Sequence, residues 1–176
     1  MHETPDKKRM ARLIELVEAF GAPIGYVTHG RKDDRTGTGA AERAGTLRLG
    51  TELGGAGMVG VDSTRIAEAG VERILEYLGI LKPTQLSRAR QKTRLMDVMS
   101  QAYYVYAPES GLFEPYVDLG ATVKKGQPAG AVQFVDNPLR QPVMTYFGHD
   151  GMVLCKRVPG RIERGDCLFH LATDRR

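Results

Sequence analysis

The hydrophobic pattern at the start of the chain predicts an amphipathic helix. Thr4 followed by Pro5 is a favourable N-cap with the residue preferred at the first helical position. From Met10 to Val17 the apolar residues then recur at the spacing of one helix face. Gly21 follows the last apolar residue and predicts the end of the helix.

Shorter apolar stretches next predict two strands. Residues 24–28 are apolar and β-prone, and the polar, glycine-rich stretch 29–39 predicts a surface loop. Residues 47–53 form the second strand candidate, after which the sequence GGAG predicts a turn. A second amphipathic helix is expected to begin at Asp62 or Ser63 and to end at Gly79.

Residues 1–84 therefore offer two strands and two main helices, which are too few for a sheet covered by helices. Either another chain supplies neighbouring strands, or this sequence is the C-terminal part of a larger domain. We expect the strands at 24–28 and 47–53 to lack partners, so that the isolated chain dimerises or aggregates.

From Thr93 onward, Val, Tyr, Phe and Leu alternate with glycine turns, which predicts an all-β domain. Residues 107–132 resemble residues 146–171, with Gly111 matching Gly151 and Gly126 matching Gly165. Two such copies predict a two-fold, barrel-like sandwich similar to biotinyl and lipoyl carrier domains. The connection between the copies, DNPLRQP, has no lysine, so carrier chemistry is not expected. The predicted domains are residues 1–84 and 93–176, joined by a linker at 85–92.

Composition and charge narrow the classes of partner. The 176 residues carry a net charge of +4, and the densest basic run, residues 82–94, contains no aromatic side chain that could stack on bases. We expect no nucleic-acid partner. No apolar stretch approaches the length that spans a bilayer, and the start of the chain lacks the apolar segment of a signal peptide. These features predict a cytoplasmic protein without a membrane anchor.

Glu52 is the leading candidate for chemistry. It ends the second predicted strand and is followed by glycines, which let a substrate or backbone approach closely. A carboxylate at this position can accept a proton from an attacking water and return it to a leaving amine. In the alternative interpretation, Glu52 caps the turn or pairs with Arg48. The spacing alone favours neither.

Several motifs in order resemble the C-terminal half of the succinylglutamate desuccinylase/aspartoacylase family, nearest its N-acetyl-diaminobutyrate deacetylase branch. They are GTELGGAG, ERILEYLGIL, YYVYAPESGLFEP, VDLGATVKKGQPAG, DGMVLCKR and RGDCLFHLAT. The resemblance implies the remnant of a zinc-carboxypeptidase-like α/β domain followed by a barrel-sandwich-like β domain. It also implies a deacylase acting on N-acyl amino acids, with Glu52 as general base. Substrate contacts are expected from Gly54, Gly55, Tyr104 and Glu109.

The resemblance implies zinc as cofactor, held in that family by a His-x-x-Glu pair and a later histidine. None of the four histidines, His2, His29, His149 and His170, stands in such a pattern, so no metal ligand is assigned. We therefore expect the chain to be inactive alone, with an N-terminal-half polypeptide or self-association as possible partners. The alternative hypothesis is a non-catalytic protein of the same descent that mediates association or binds a small molecule.

Overall fold

The computed structural model describes residues 1–29, 35–88 and 91–175 and divides the chain into two compact units. The first unit contains Met1–Met96 together with the C-terminal residues from Asp174, and the second contains Asp97–Thr173. Parts of the predicted loop at 29–39 and of the predicted linker at 85–92, namely residues 30–34 and 89–90, lie outside the described residues. The fold is a mixed α/β one.

Helices dominate the first unit. They are α1 (Lys7–Phe20), α2 (Gly37–Arg43), α3 (Val61–Tyr77) and α4 (Gln85–Arg88). The predicted N-cap at Thr4 is wrong: Asp6 caps α1, because its carboxylate accepts hydrogen bonds from the backbone N–H groups of Lys8 and Arg9. The predicted end is correct, since Gly21 closes the helix with a left-handed φ of 69°.

Helix α1 packs against α3 through a close approach of glycine to an aromatic ring. A Cβ atom on Gly70 would lie 2.4 Å from the Phe20 ring, so any larger residue there would require the ring to shift. The buried Arg73 donates a hydrogen bond of 2.9 Å from Nε to the carbonyl oxygen of Phe20, at the negative end of the α1 dipole. These contacts fix the C-terminal end of α1 on one face of α3.

Strand β1 (Ile24–Thr28) is paired on both sides, which contradicts the expectation of an unpaired strand. On one side the backbone N–H of Glu3 donates to the carbonyl of Thr28 over 3.0 Å, in parallel register. On the other side lies β2 (Arg94–Val98), whose first residue donates its backbone N–H to Pro23 over 2.9 Å. One partner, the segment at Glu3, is too short to give a strand pattern, and the other, β2, lies beyond residues 1–84.

The second unit is built almost entirely from short antiparallel strands. After a 3₁₀ turn at Gln101–Tyr103 they are β3 (Tyr104–Tyr106), β4 (Gly111–Pro115), β5 (Thr122–Val123), β6 (Pro128–Gln133), β7 (Val143–Tyr146), β8 (Gly151–Lys156), β9 (Arg161–Ile162) and β10 (Cys167–Asp174). One group pairs in the order β3, β10, β8, β5, and the other in the order β7, β6, β4, β9.

These two orders correspond strand for strand across the internal repeat. Each copy places its short middle strand beside the other copy, because β5 pairs with β8 and β9 pairs with β4. A cluster of buried side chains fills this unit, and in it the Phe169 ring contacts the rings of Phe113 and Phe147, at 5.5 and 5.3 Å between ring centroids. No described helix has both the length and the apolar character needed to cross a membrane.

Candidate functional site

Glu52 lies on an exposed segment of the first unit. Every residue from Thr51 to Asp62 is exposed. The predicted strand at 47–53 is wrong, because this stretch has no strand partner among the described residues, and an extended chain without a partner forms no ladder. The alternative pairing also fails: Arg48 donates from Nη1 to the Thr38 hydroxyl over 3.1 Å, and no ion pair joins it to Glu52, although the structure describes both residues.

The glycines after Glu52 form a tight reverse turn. Gly55 and Met58 are bridge partners, and the backbone N–H of Met58 donates to the carbonyl of Gly55 over 3.0 Å. Between them, Ala56 and Gly57 both have positive φ, 57° and 71°, as expected of a hairpin turn with left-handed central residues. Ala56 is unusual at such a φ and therefore carries local backbone strain.

Gly54 and Gly55, both predicted to contact substrate, differ in their surroundings. A Cβ on Gly54 would lie 2.8 Å from the backbone oxygen of Met58, and its φ is 77°, so its lack of a side chain is needed by the turn itself. A Cβ on Gly55 would meet no atom within 4 Å. Only Gly55 therefore offers open space where a ligand could approach the backbone.

Tyr104, the third predicted contact, lies in a ladder of stacked rings in the second unit. Its ring is 3.9 Å from that of His170 on β10 and 5.8 Å from that of Tyr106, all nearly parallel. The sequence patterns assign no role to His170, because the stack depends on the register of β3 against β10. No short-range pattern reveals that register.

His170 is buried, and its Nε2 atom has no hydrogen-bond partner. Burial lowers the pKa of His170 below its ordinary value, because the charged imidazolium is poorly solvated there. The ring is therefore held neutral. Burial also raises the pKa of Cys167, in the same strand, and so keeps this thiol protonated.

Glu109, the last predicted contact, is occupied by an ion pair. Its carboxylate accepts a hydrogen bond of 2.5 Å from Arg140, whose guanidinium also lies over the Phe134 ring at 3.6 Å. The pair anchors the connection between β6 and β7. This arrangement gives Glu109 a structural contact within the second unit, whereas Glu52 and the two glycines belong to the first.

The described residues do not provide the grouped ligands that a catalytic zinc ion requires. Across residues 1–29, 35–88 and 91–175, no three His, Cys, Asp or Glu side chains are grouped so that they could hold a metal. His2 shares a 2.7 Å hydrogen bond with the Thr28 hydroxyl, and His29 contacts Glu3 at 2.6 Å. No step is therefore assigned to a metal on this chain.

A small cavity in the first unit is lined by both polar and apolar side chains. Its volume is about 20 Å³, close to that of a single water molecule and too small for an N-acyl amino acid. Its lining comprises His2, Thr4, Arg9, Leu13, Thr38, Ala41, Glu42 and Arg48. Glu52 is not among these residues, so the carboxylate that could transfer a proton stands outside this enclosed space.

Comparison with known sequences identifies a matching protein family and a related enzyme. Residues 1–78 match the model of the succinylglutamate desuccinylase/aspartoacylase catalytic domain. The N-alpha-acetyl-L-2,4-diaminobutyric acid deacetylase of Halomonas elongata is 28% identical over 171 residues, 97% of this chain and 50% of that protein. This chain thus spans about half the length of its curated relative.

Solved structures agree over the whole described fold. A succinylglutamate desuccinylase/aspartoacylase from Rhodobacter sphaeroides is 36% identical, with a TM-score of 0.90 over 100% of this chain and 53% of that one. The product-bound ectoine utilization protein EutE (DoeB) from Ruegeria pomeroyi is 31% identical, with a TM-score of 0.87 over 98% of this chain and 52% of that one. Residues 1–78 are thus similar in sequence to the catalytic domain of the succinylglutamate desuccinylase/aspartoacylase family, and the chain is similar in fold to about half of each of these solved relatives.

Proposed function

We propose that this chain is the C-terminal half of a deacylase that hydrolyses the amide bond of N-acyl amino acids. The observation that carries the proposal is the match of residues 1–78 to the family's catalytic domain, with Glu52 displayed beside the glycine turn of that region. The match also supports a zinc-carboxypeptidase-like origin for the first unit. The crossed pairing of the repeats supports a barrel-sandwich-like second unit.

In this reaction Glu52 acts as the proton carrier. Its carboxylate accepts a proton from the water that attacks the acyl carbon and then donates that proton to the amine nitrogen as the C–N bond breaks. The products are a carboxylic acid and an amino acid. Such transfer is efficient when the carboxylate is shielded from bulk water, whereas Glu52 is exposed in this chain.

Zinc is implied by the family, but this chain does not hold three suitable ligands in its described residues. We therefore place the metal ligands in the part of the relatives that this chain does not span, and we expect the chain to be inactive alone. The second candidate, a non-catalytic protein that mediates association, is favoured by the exposed apolar side chains of the first unit. Cytoplasmic localisation remains a prediction from the sequence.

A hydrolysis assay distinguishes these functions. The chain should be assayed alone and co-expressed with the N-terminal half of the Rhodobacter sphaeroides relative, using N-alpha-acetyl-2,4-diaminobutyrate and N-acetylaspartate as substrates. Deacylation by the co-expressed pair, absent from either half alone, is the expected result. Absence of turnover on either substrate by a pair that copurifies would favour the association function.

A further inference from the structure

Exposed apolar side chains are concentrated in one part of the first unit. Residues 47–81 carry ten of the nineteen large exposed hydrophobic side chains in the described chain. They are Leu47, Leu53, Met58, Val59, Val61, Val71, Tyr77, Leu78, Ile80 and Leu81. Val59 is 91% exposed and Met58 is 70% exposed. We call this set the apolar face; ten such side chains within residues 47–81 exceed the singly scattered apolar residues that are normal on a protein surface, which indicates an interaction surface.

Helix α3 shows that the apolar face is built to be covered. One side of the helix, with Ala69 and Gly70, is buried against α1. Ala67, Val71 and Leu75 recur every four residues on the opposite side, where Val71 is 55% exposed. A helix with apolar residues on both sides is ordinarily packed between two layers; here α1 and the short α4 contact the helix, and Val71 remains exposed.

The chemistry of the same segment also calls for a cover. Glu52 precedes Leu53, which is 40% exposed, and the strained turn at Ala56 leads directly to Met58 and Val59. A proton-carrying carboxylate in the same exposed segment as these apolar side chains becomes shielded from water when a partner buries the segment. One contact surface would thus bury the exposed side of α3 and also shield the Glu52 carboxylate from water.

The relatives indicate which polypeptide buries the apolar face. This chain accounts for 53% of the Rhodobacter sphaeroides protein and 50% of the Halomonas elongata deacetylase, so each relative contains about as much additional polypeptide. Most of the apolar face lies within residues 1–78, which match the catalytic domain. The polypeptide that completes that domain is therefore the occupant that these observations favour.

We propose that the apolar face is the docking surface for a polypeptide equivalent to the N-terminal half of the relatives. This inference rests on the proposed function and names the surface through which the catalytic domain is completed. The face stays exposed until that half binds. Val59 and Val71 lie in the buried centre of the contact, and Glu52 is covered with them.

The test measures capture rather than activity. A tagged N-terminal half of the Rhodobacter sphaeroides relative is co-expressed with this chain, and copurification is quantified. We expect the unaltered chain to be captured, and Val71→Asp and Val59→Asp each to reduce capture at least tenfold, because docking would bury an unpaired carboxylate. Both side chains are mainly exposed, so circular dichroism of either isolated variant should match the unaltered chain.

Val158→Asp is the matched control, because Val158 is 57% exposed but lies in the second unit. Capture equal to the unaltered chain is expected for it. Equal capture of all three variants, or no capture of the unaltered chain, overturns the proposal. If the N-terminal half is not captured and the chain instead self-associates in a way that Val71→Asp abolishes, the apolar face binds a second copy of this chain. That outcome also overturns the proposal. If the Glu52→Gln variant is captured but the resulting pair shows no turnover, docking is supported. If the unaltered chain is captured but that pair shows no turnover, only the proposed activity is refuted.

Discussion

At the scale of single residues, Glu52 is the side chain on which the proposed chemistry depends. Glu52→Gln keeps the size of the side chain and removes the proton acceptor. In the co-expressed pair we expect kcat to fall by about 10²- to 10⁴-fold, the usual contribution of a general base, with little change in KM. Steady-state hydrolysis measures this effect.

The control for Glu52 is Glu18→Gln, since Glu18 lies on α1 outside the exposed segment. This variant should retain the activity of the unaltered pair. Turnover by Glu52→Gln close to that of the Glu18 variant would remove Glu52 from the mechanism.

His170 provides a pH-dependent test of burial. Its pKa in the folded chain lies below the unfolded value of about 6.5, so below that pH the unfolded chain binds a proton that the folded chain does not. The free energy of unfolding should therefore fall as the pH drops below about 6.5, by at most ~1.4 kcal/mol per pH unit from this residue. Above that pH the contribution is constant.

Urea unfolding between pH 5 and 8 measures this contribution. His170→Phe removes the titrating group and retains a ring that can stack on Tyr104, so its curve should be flatter than that of the unaltered chain. Val105→Ala, which removes buried apolar volume from β3 and no titrating group, should keep the original slope. Identical slopes for all three proteins would show that His170 is not held neutral.

At the scale of elements, the contact between α1 and α3 depends on Gly70. Glycine to alanine inside a helix ordinarily stabilises by about 1 kcal/mol. Here the added Cβ would lie 2.4 Å from the Phe20 ring, and overpacking of this kind costs about 1–3 kcal/mol. We expect Gly70→Ala to destabilise the first unit by up to about 2 kcal/mol in urea unfolding, because the overpacking cost exceeds the helix-propensity gain.

A double variant isolates the cause of that effect. Gly70→Ala combined with Phe20→Leu should lose less stability than the sum of the two single changes, because the smaller side chain makes room for the Cβ. Additive losses would show that the clash with Phe20 is not responsible.

The sequence predicted those elements whose signals are local. The apolar stripe from Met10 to Val17 and the closing Gly21 located α1, and the stretch 24–28 located β1. Asp6 is the N-cap because its carboxylate accepts hydrogen bonds from two backbone N–H groups. The Thr4–Pro5 pattern did not indicate these hydrogen bonds. The strand predicted at 47–53 failed because strand formation requires a neighbour, which sequence alternation cannot supply.

The same distinction between local signals and contacts distant along the chain applies to the candidate site. The glycines after Glu52 predicted a turn, and a turn is present. The exposure of Glu52 and the stack of Tyr104 on His170 depend on contacts distant along the chain, so no short motif encoded them. Glu109 was predicted from resemblance to contact substrate, and only the structure revealed its ion pair with Arg140.

At the scale of the whole molecule, the second unit has a core of its own. The buried cluster from Val105 to Leu171 is drawn entirely from residues 97–173. We expect a fragment containing these residues to unfold cooperatively by itself, followed by circular dichroism on heating. A fragment without a thermal transition would contradict this independence.

Two substitutions calibrate the fragment. Phe169→Ala removes a fully buried ring and should cost about 3–5 kcal/mol, whereas Leu139→Ala changes a side chain that is 92% exposed and should stay within about 0.5 kcal/mol. Similar losses for both would indicate that the fragment lacks the packed core.

The exchange of short strands between the two repeats carries a consequence for ancestry. Strand β5 of the first copy pairs with β8 of the second, and β9 of the second copy pairs with β4 of the first. A single copy of the repeat would therefore leave its short strand, and the longer strand that receives the other copy's short strand, without these partners. Two separate single copies could satisfy each other by a symmetric, reciprocal exchange, as in a two-fold homodimer. The unit thus has the construction of such a dimer fused into one polypeptide. A gene duplication would have turned an encounter between two molecules into an event within one.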